Sequence, residues 1–150
     1  MSTTLDRPNV LALPRAILRA LDRIPYALLA IPLRLAVAEV FWASGTTKLA
    51  DWGAAVALFQ DEYKVPLLPP DIAAVMAASI ELSTPILLVL GLFTRGAALV
   101  LLGMTAFIEI FVYPLAWPTH IQWAAMLLVL LARGAGGFSV DALIRRWFLG

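Results

Sequence analysis

Four apolar stretches, residues 24–47, 72–93, 97–113 and 115–132, occupy most of this chain, and they are nearly free of charge. Each is close to the length that crosses a bilayer as a helix. The chain is 62% hydrophobic and 14% charged, against about 45–50% and about 25% for a soluble domain. These figures make it an integral membrane protein with a single domain of 150 residues. Inside the stretches lie Arg34, Glu39, Glu81, Glu109 and His120. An ionisable group at bilayer depth costs roughly 2.5–3.5 kcal/mol on insertion scales unless it is paired, neutralised or wetted. Their retention points to a polar site between helices.

The net charge of +1 and the lack of any basic block exclude a surface that tracks phosphates, so no nucleic-acid partner is expected. There is no cysteine, which excludes a thiol relay, a zinc thiolate site or a cysteine nucleophile within the chain. Glycines at 134, 136 and 137 follow no strand and form no dinucleotide fingerprint.

The expected fold is all-α: an integral membrane four-helix transmembrane bundle with short interfacial helices at both ends. Residues 1–25 read as a polar tail (1–9) and an interfacial amphipathic helix (14–23), residues 26–133 as the four-helix transmembrane part, and residues 134–150 as a glycine-rich break and a final amphipathic helix. Pro32 and Pro85 are expected to kink the first two spans. Asp71 is placed to cap the second span. Thr94-Arg95-Gly96 reads as a tight turn making spans two and three a hairpin. Residues 52–63 can form a partial helix in the long connection 48–70, and Ser139 caps the last helix. Recurrent small residues (Ala43, Ser44 and Gly45; Ala77, Ala78 and Ser79) suit close helix packing in lipid.

Orientation follows from basic residues, which favour the cytoplasmic side. Arg7, Arg15, Arg19, Arg23, Arg95, Arg133, Arg145 and Arg146 fall on one side of a four-span arrangement, and only Lys48 and Lys64 fall on the other. Both termini are therefore expected in the cytoplasm, in a prokaryotic cytoplasmic membrane.

At a rise of about 1.5 Å per residue, Arg34 lies in the inner half and Glu81 near the midplane, close enough to form an ion pair that fixes helix register. Glu39, Glu109 and His120 share the outer half, with Lys48 at the outer rim. One arginine against three glutamates leaves two excess negative charges, which requires a protonated carboxyl, a bound cation or an opening to water. Glu39, Glu109 and His120 are the metal candidates, although their spacing constrains a metal poorly. Phe41, Trp42, Tyr113, Trp117 and Trp123 read as an interfacial aromatic belt. The sharper alternative is a flat ligand slot lined by Trp42, Tyr113, Gln122 and Trp123.

Leu33-Arg34-Leu35 followed by Phe41-Trp42-Ala43-Ser44-Gly45-Thr46-Thr47-Lys48-Leu49 resembles the first span of the DoxX family of small four-helix membrane proteins. Glu81, with the run from Leu87 through Gly91 to Thr94 and Arg95, resembles the second span and hairpin of that family. Gly136-Gly137-Phe138-Ser139-Val140-Asp141 resembles its post-span segment. The resemblance implies an accessory or electron-transfer subunit of a quinone-linked, thiosulfate- or thiol-related oxidoreductase. It brings an oxidoreductase partner, a quinone as ligand, and no cofactor resident in the chain itself. Surrounding lipid is the constant partner, and a homo-oligomer is equally compatible. The acidic interior supports a rival, a protein handling metal or protons, and a non-catalytic scaffold is a third reading.

Overall fold

Alanine supplies much of the buried helix surface of this protein, beside a few fully buried leucines, while many other leucines, isoleucines and valines point outward. The computed structural model describes residues 12–149, so the tail with Arg7 lies outside the described residues. Among them the elements are α1 (Ala12–Asp22), α2 (Tyr26–Ala50), α3 (Trp52–Leu58), α4 (Pro70–Leu90), α5 (Thr94–Phe107), α6 (Trp117–Arg133) and α7 (Val140–Leu149), with no strand. α3 continues as a π-helical turn, Phe59–Tyr63, and α5 continues as another, Ile108–Val112. The all-helical expectation holds. Three helices, Tyr26–Ala50, Pro70–Leu90 and Thr94–Val112, are long and apolar enough to cross a membrane. α6 has 17 residues, about 25 Å at 1.5 Å per residue, short of the roughly 30 Å of a hydrocarbon core.

α2 packs on α4, α4 on α5, α5 on α6, and α6 back on α2. Ala30, Ala38, Ala74, Ala78, Ala97 and Ala98 are all buried at these contacts. Leu28, Leu35, Ile86, Val89, Leu99 and Leu128 are each at least 47% exposed. Lipid supplies no hydrophobic drive between helices, so small residues that let backbones approach do the work instead. Gly45 shows the tolerance: a Cβ there would lie 2.9 Å from Leu82 Cδ2 and 3.1 Å from Glu81 Cβ.

α2 and α4 are antiparallel and staggered. Arg34 sits level with Leu88 and Val89, and Gly45 sits level with Glu81. The first two turns of α4 therefore run past the end of α2, where α3 and its π turn fill the space. Phe59 packs there with Ala73, Ala74 and Ala77. The expected partial helix at residues 52–63 is present, and it is built into the packing.

Several local expectations need correction. Asp71 does not cap α4; Pro69 is the capping position and its carbonyl accepts from Ala73 N–H, because Pro70 suits the first helical turn. The turn of the α4–α5 hairpin is Gly91-Leu92-Phe93, and Thr94 to Gly96 is already helical. Gly91 adopts φ +66°, the left-handed conformation that glycine takes without strain. Pro32 and Pro85 both lie inside continuous helices, where each leaves the carbonyl four residues earlier without its usual donor. The supposed glycine-rich break after Arg133 is pinned: Tyr26 Oη donates to Gly134 O at 2.8 Å, and Ser139 Oγ donates to Gly136 O at 2.7 Å. Ser139 caps α7 as expected, accepting from Ala142 N–H at 3.2 Å. Asp141 then accepts from Phe93 N–H at 2.7 Å and Thr94 N–H at 3.0 Å, clamping α7 to the hairpin.

Candidate functional site

Ser44 and Lys48 are four residues apart, so the helical repeat of α2 puts both on one face. That face meets Glu81 of α4. Lys48 Nζ donates to Glu81 Oε2 at 2.8 Å, to Glu81 Oε1 at 2.9 Å and to Ser44 Oγ at 2.9 Å. Ser44 Oγ donates to Glu81 Oε1 at 3.1 Å. The two charged side chains are 11% and 4% exposed, so the pair is held almost without solvent.

A second polar group forms where the π turn after α5 meets α6. Glu109 lies on that turn, and its Oε2 is 2.5 Å from Nδ1 of the buried His120. A carboxylate acceptor here requires the ring proton to sit on Nδ1. Among the described residues Nε2 has no protein partner. Since Thr94 Oγ1 is the only fully buried side-chain oxygen or nitrogen without a partner among the described residues, Nε2 is accessible. His120 also stacks obliquely near Trp123, with ring centroids 5.1 Å apart.

Between these groups lies a cavity of about 420 Å³, within the range of about 300–1,000 Å³ usual for small-molecule sites. Phe41, Ser44 and Lys48 of α2, Ala77, Ile80 and Glu81 of α4, Gly103 and Met104 of α5, and His120 and Trp123 of α6 line it. Phe59 and Tyr63 of one π turn and Ile108 and Val112 of the other line it as well. Such π turns are frequent at functional sites because they re-aim side chains within a helix. Toward the α3 end, Tyr63 stands edge-on to Phe59 (4.9 Å) and to Tyr113 (5.5 Å). The Tyr113 hydroxyl donates to Glu62. Burial raises the Tyr63 phenol above its ordinary value. Burial, followed by the bond to Glu62, raises Tyr113 well above it.

Of the residues expected in the polar core, Lys48, Glu81 and His120 line this cavity, with Glu109 bonded to His120, and Tyr113 and Trp123 line it too. The expected Arg34–Glu81 ion pair does not exist. Arg34 is buried against carbonyls instead, donating to Leu88 O (2.7 Å), Val89 O (2.5 Å), Ala135 O (3.1 Å) and Phe138 O (2.8 Å). The stagger of α2 against α4 carries Arg34 past Glu81 and brings Lys48, expected at the outer rim, level with it. Glu39 also departs from expectation. It is exposed and lines a separate groove with Leu35, Trp42, Ile86 and Leu90, away from Glu109 and His120. Trp42 goes with it, and Gln122 is exposed, bonded to Pro118 O. Of the aromatic belt, Phe41 is instead a core residue, 2% exposed and edge-on to Trp123.

The charge balance changes accordingly. With Glu39 outside, the cations Arg34 and Lys48 equal the carboxylates Glu81 and Glu109 in number, so the predicted excess of two negative charges disappears. Among the described residues no three histidine, aspartate or glutamate side chains gather as a metal site would require, and the trio Glu39, Glu109 and His120 is split. Sequence reasoning missed Ser44, Phe59, Glu62 and Tyr63. The four-residue spacing of Ser44 and Lys48 was the signal available for the first; the others depend on the connection folding back.

The family model described as DoxX matches residues 29–114. The match includes Arg34, Lys48, Glu81, Glu109 and Tyr113, while His120, Trp123 and residues 136–141 lie beyond it. A Haemophilus influenzae protein described as an uncharacterized protein is 32% identical over 129 residues, covering 76% of this chain and 82% of its own length. No solved structure matches the chain.

Proposed function

The chain belongs to the DoxX family of membrane proteins, and from that premise we propose that it is a quinone-binding accessory or electron-transfer subunit of a membrane oxidoreductase. In this reading α2, α4, α5 and α6 form a transmembrane four-helix bundle in a prokaryotic cytoplasmic membrane. Both termini are cytoplasmic, as the distribution of arginine favours. α1 and α7 lie at the cytoplasmic interface, and α3 with the 113–116 link lies toward the opposite face.

The observation that carries the reading is His120: Nδ1 is held by Glu109, Nε2 is left unbonded by the described residues, and the residue lines an apolar, aromatic-rich cavity. A quinone is a flat ring with two carbonyl acceptors, and it supplies two-electron, two-proton carrier chemistry. As imidazolium, His120 donates Nδ1–H to the Glu109 carboxylate and presents Nε2–H to a carbonyl oxygen. As neutral imidazole it keeps Nδ1–H on Glu109 and accepts at Nε2 from a hydroxyl. The same ring thus matches both the oxidised and the reduced ligand, and it differs between them by one proton. Phe41, Trp123 and Tyr63 give the ring apolar walls. The three donors of Lys48 are already committed to Glu81 and Ser44, which assigns that pair to shaping the site. With no cysteine in the chain, any thiol chemistry belongs to a partner protein.

The test is equilibrium binding of a short-chain benzoquinone to the protein in lipid nanodiscs, corrected for empty discs. Binding should weaken at least tenfold in His120→Ala and less in Glu109→Gln. No saturable binding, or equal binding by wild type and His120→Ala, refutes the reading.

A further inference from the structure

Gly103 is a helical glycine with no packing duty. A Cβ built on it would meet nothing within 4 Å, whereas a Cβ on Gly45 would strike Leu82. Its φ is not left-handed, so the backbone does not need glycine there either. A glycine within a helix costs stability relative to alanine, and here no close approach of a neighbouring helix repays it. What Gly103 does is leave space. It lines the cavity and is itself exposed on the outer surface of α5. Two neighbours share this double character: Met76 of α4 is 49% exposed and Val100 of α5 is 44% exposed, and both line the cavity. The cavity therefore reaches the protein surface between α4 and α5, among side chains with no polar atoms other than the Met76 sulfur.

We propose that this gap at Gly103 is a portal in the membrane plane, through which the hydrocarbon tail of a long-chain lipophilic ligand passes while its polar head occupies the cavity near His120. The inference rests on the quinone reading and narrows its ligand class to isoprenoid quinones taken from the bilayer. A cavity of about 420 Å³ holds a head group and has no room for a tail of many isoprene units. An apolar route from it to the bilayer runs past Met76, Val100 and Gly103. At the other end stand Tyr63, Tyr113 and the charged Glu62, which suit water and not a hydrocarbon chain.

The test compares two probes in nanodiscs, a tail-less benzoquinone and the same head carrying at least six isoprene units. Gly103→Leu should weaken the long-tailed probe at least tenfold and leave the tail-less one within about twofold. Gly103→Ala should fall between wild type and Gly103→Leu. Ala106→Leu, which adds bulk to the same helix away from the cavity lining, should change neither. Helical content and thermal midpoint of each variant are measured alongside, so that a folding defect registers separately. Equal loss of both probes in a folded Gly103→Leu overturns the portal, as does no loss of either. Binding of the tail-less probe alone by wild type overturns the portal and leaves the quinone reading standing. Binding of neither probe by wild type overturns both.

Discussion

Truncating either member of the Lys48–Glu81 pair should cost far more than removing both. At 2.8 Å and an effective dielectric of about 20, the mutual attraction is about 6 kcal/mol. Desolvation of two ions that are 11% and 4% exposed offsets several kcal/mol for each. The net worth of the pair against apolar side chains of similar volume is therefore close to zero. A single substitution is different because the attraction vanishes while one desolvated charge remains. Lys48→Met leaves a carboxyl with only Ser44 to bond it, and Glu81→Leu leaves an ammonium in the same position. Each should destabilise by about 3–5 kcal/mol. Neutralising an ordinary carboxyl at pH 7 costs about 3–4 kcal/mol, which caps the first penalty at the lower end of that range. Lys48→Met with Glu81→Leu together should lie within about 1–2 kcal/mol of wild type. The assay is reversible unfolding by denaturant in mixed micelles, followed by helical circular dichroism and analysed as a double-mutant cycle. Single variants each costing under about 1 kcal/mol would refute the claim that the pair is desolvated. A double variant costing the sum of the singles would refute the claim that the two side chains compensate each other.

Two further outcomes follow from groups at opposite ends of the helices. Arg34→Met should leave the carbonyls of Leu88, Val89, Ala135 and Phe138 without their shared donor, and should release residues 134–138 to proteolysis at least tenfold faster. Arg34→Lys, which keeps the charge without the forked donors, should fall between; unchanged proteolysis in both would dismiss Arg34 as the anchor. Tyr113 keeps its proton above the ordinary phenol value of 10.0 when folded, so the unfolded chain releases that proton first. Its contribution is complete below pH 10 and is lost as pH rises toward the folded value. Because the residue is 39% exposed, solvent screening keeps the slope well below the limit of about 1.4 kcal/mol per unit. Tyr113→Phe should flatten the fall in stability above pH 10, and an unchanged alkaline limb would refute the assignment.

How far the sequence revealed this site depended on which residues needed only their own helix. The length of the apolar runs was enough to locate α2, α4, α5 and α6, since a helix in lipid must satisfy its own backbone and announces itself by length. Ser139 as a cap and the short helix after Trp52 were equally local. Glu109 and His120 were placed at similar depth by counting residues on adjacent antiparallel spans, and the short link at residues 113–116 leaves little freedom for them to miss. Glu39 shows where counting stops: depth is a property of one helix, whereas facing depends on rotation about its axis, and a nearly uniform apolar surface gives no amphipathic stripe from which to read that rotation.

The pairing of Lys48 illustrates the second limit, which is register between helices. Residue counting aligned the ends of α2 and α4 at common membrane boundaries, and on that footing Lys48 belonged at the rim and Arg34 opposite Glu81. The observed stagger follows from two features that act together. Arg34 finds four carbonyls at the end of α4 and the start of the 134–139 segment, a better environment for a forked five-donor cation than one carboxylate. α3 and its π turn, by folding back, occupy the length of α4 that α2 vacates. Neither device is visible as periodicity, because both depend on a segment far away in sequence supplying backbone acceptors or packing surface. The sequence feature that did foreshadow the outcome is Gly45, flanked by Ser44 and Lys48 on the same turn. A glycine admits the neighbouring helix, and the polar residues beside it then lie within reach of whatever charge that helix brings. Close approach at Gly45 and the ion pair at Glu81 are thus one contact.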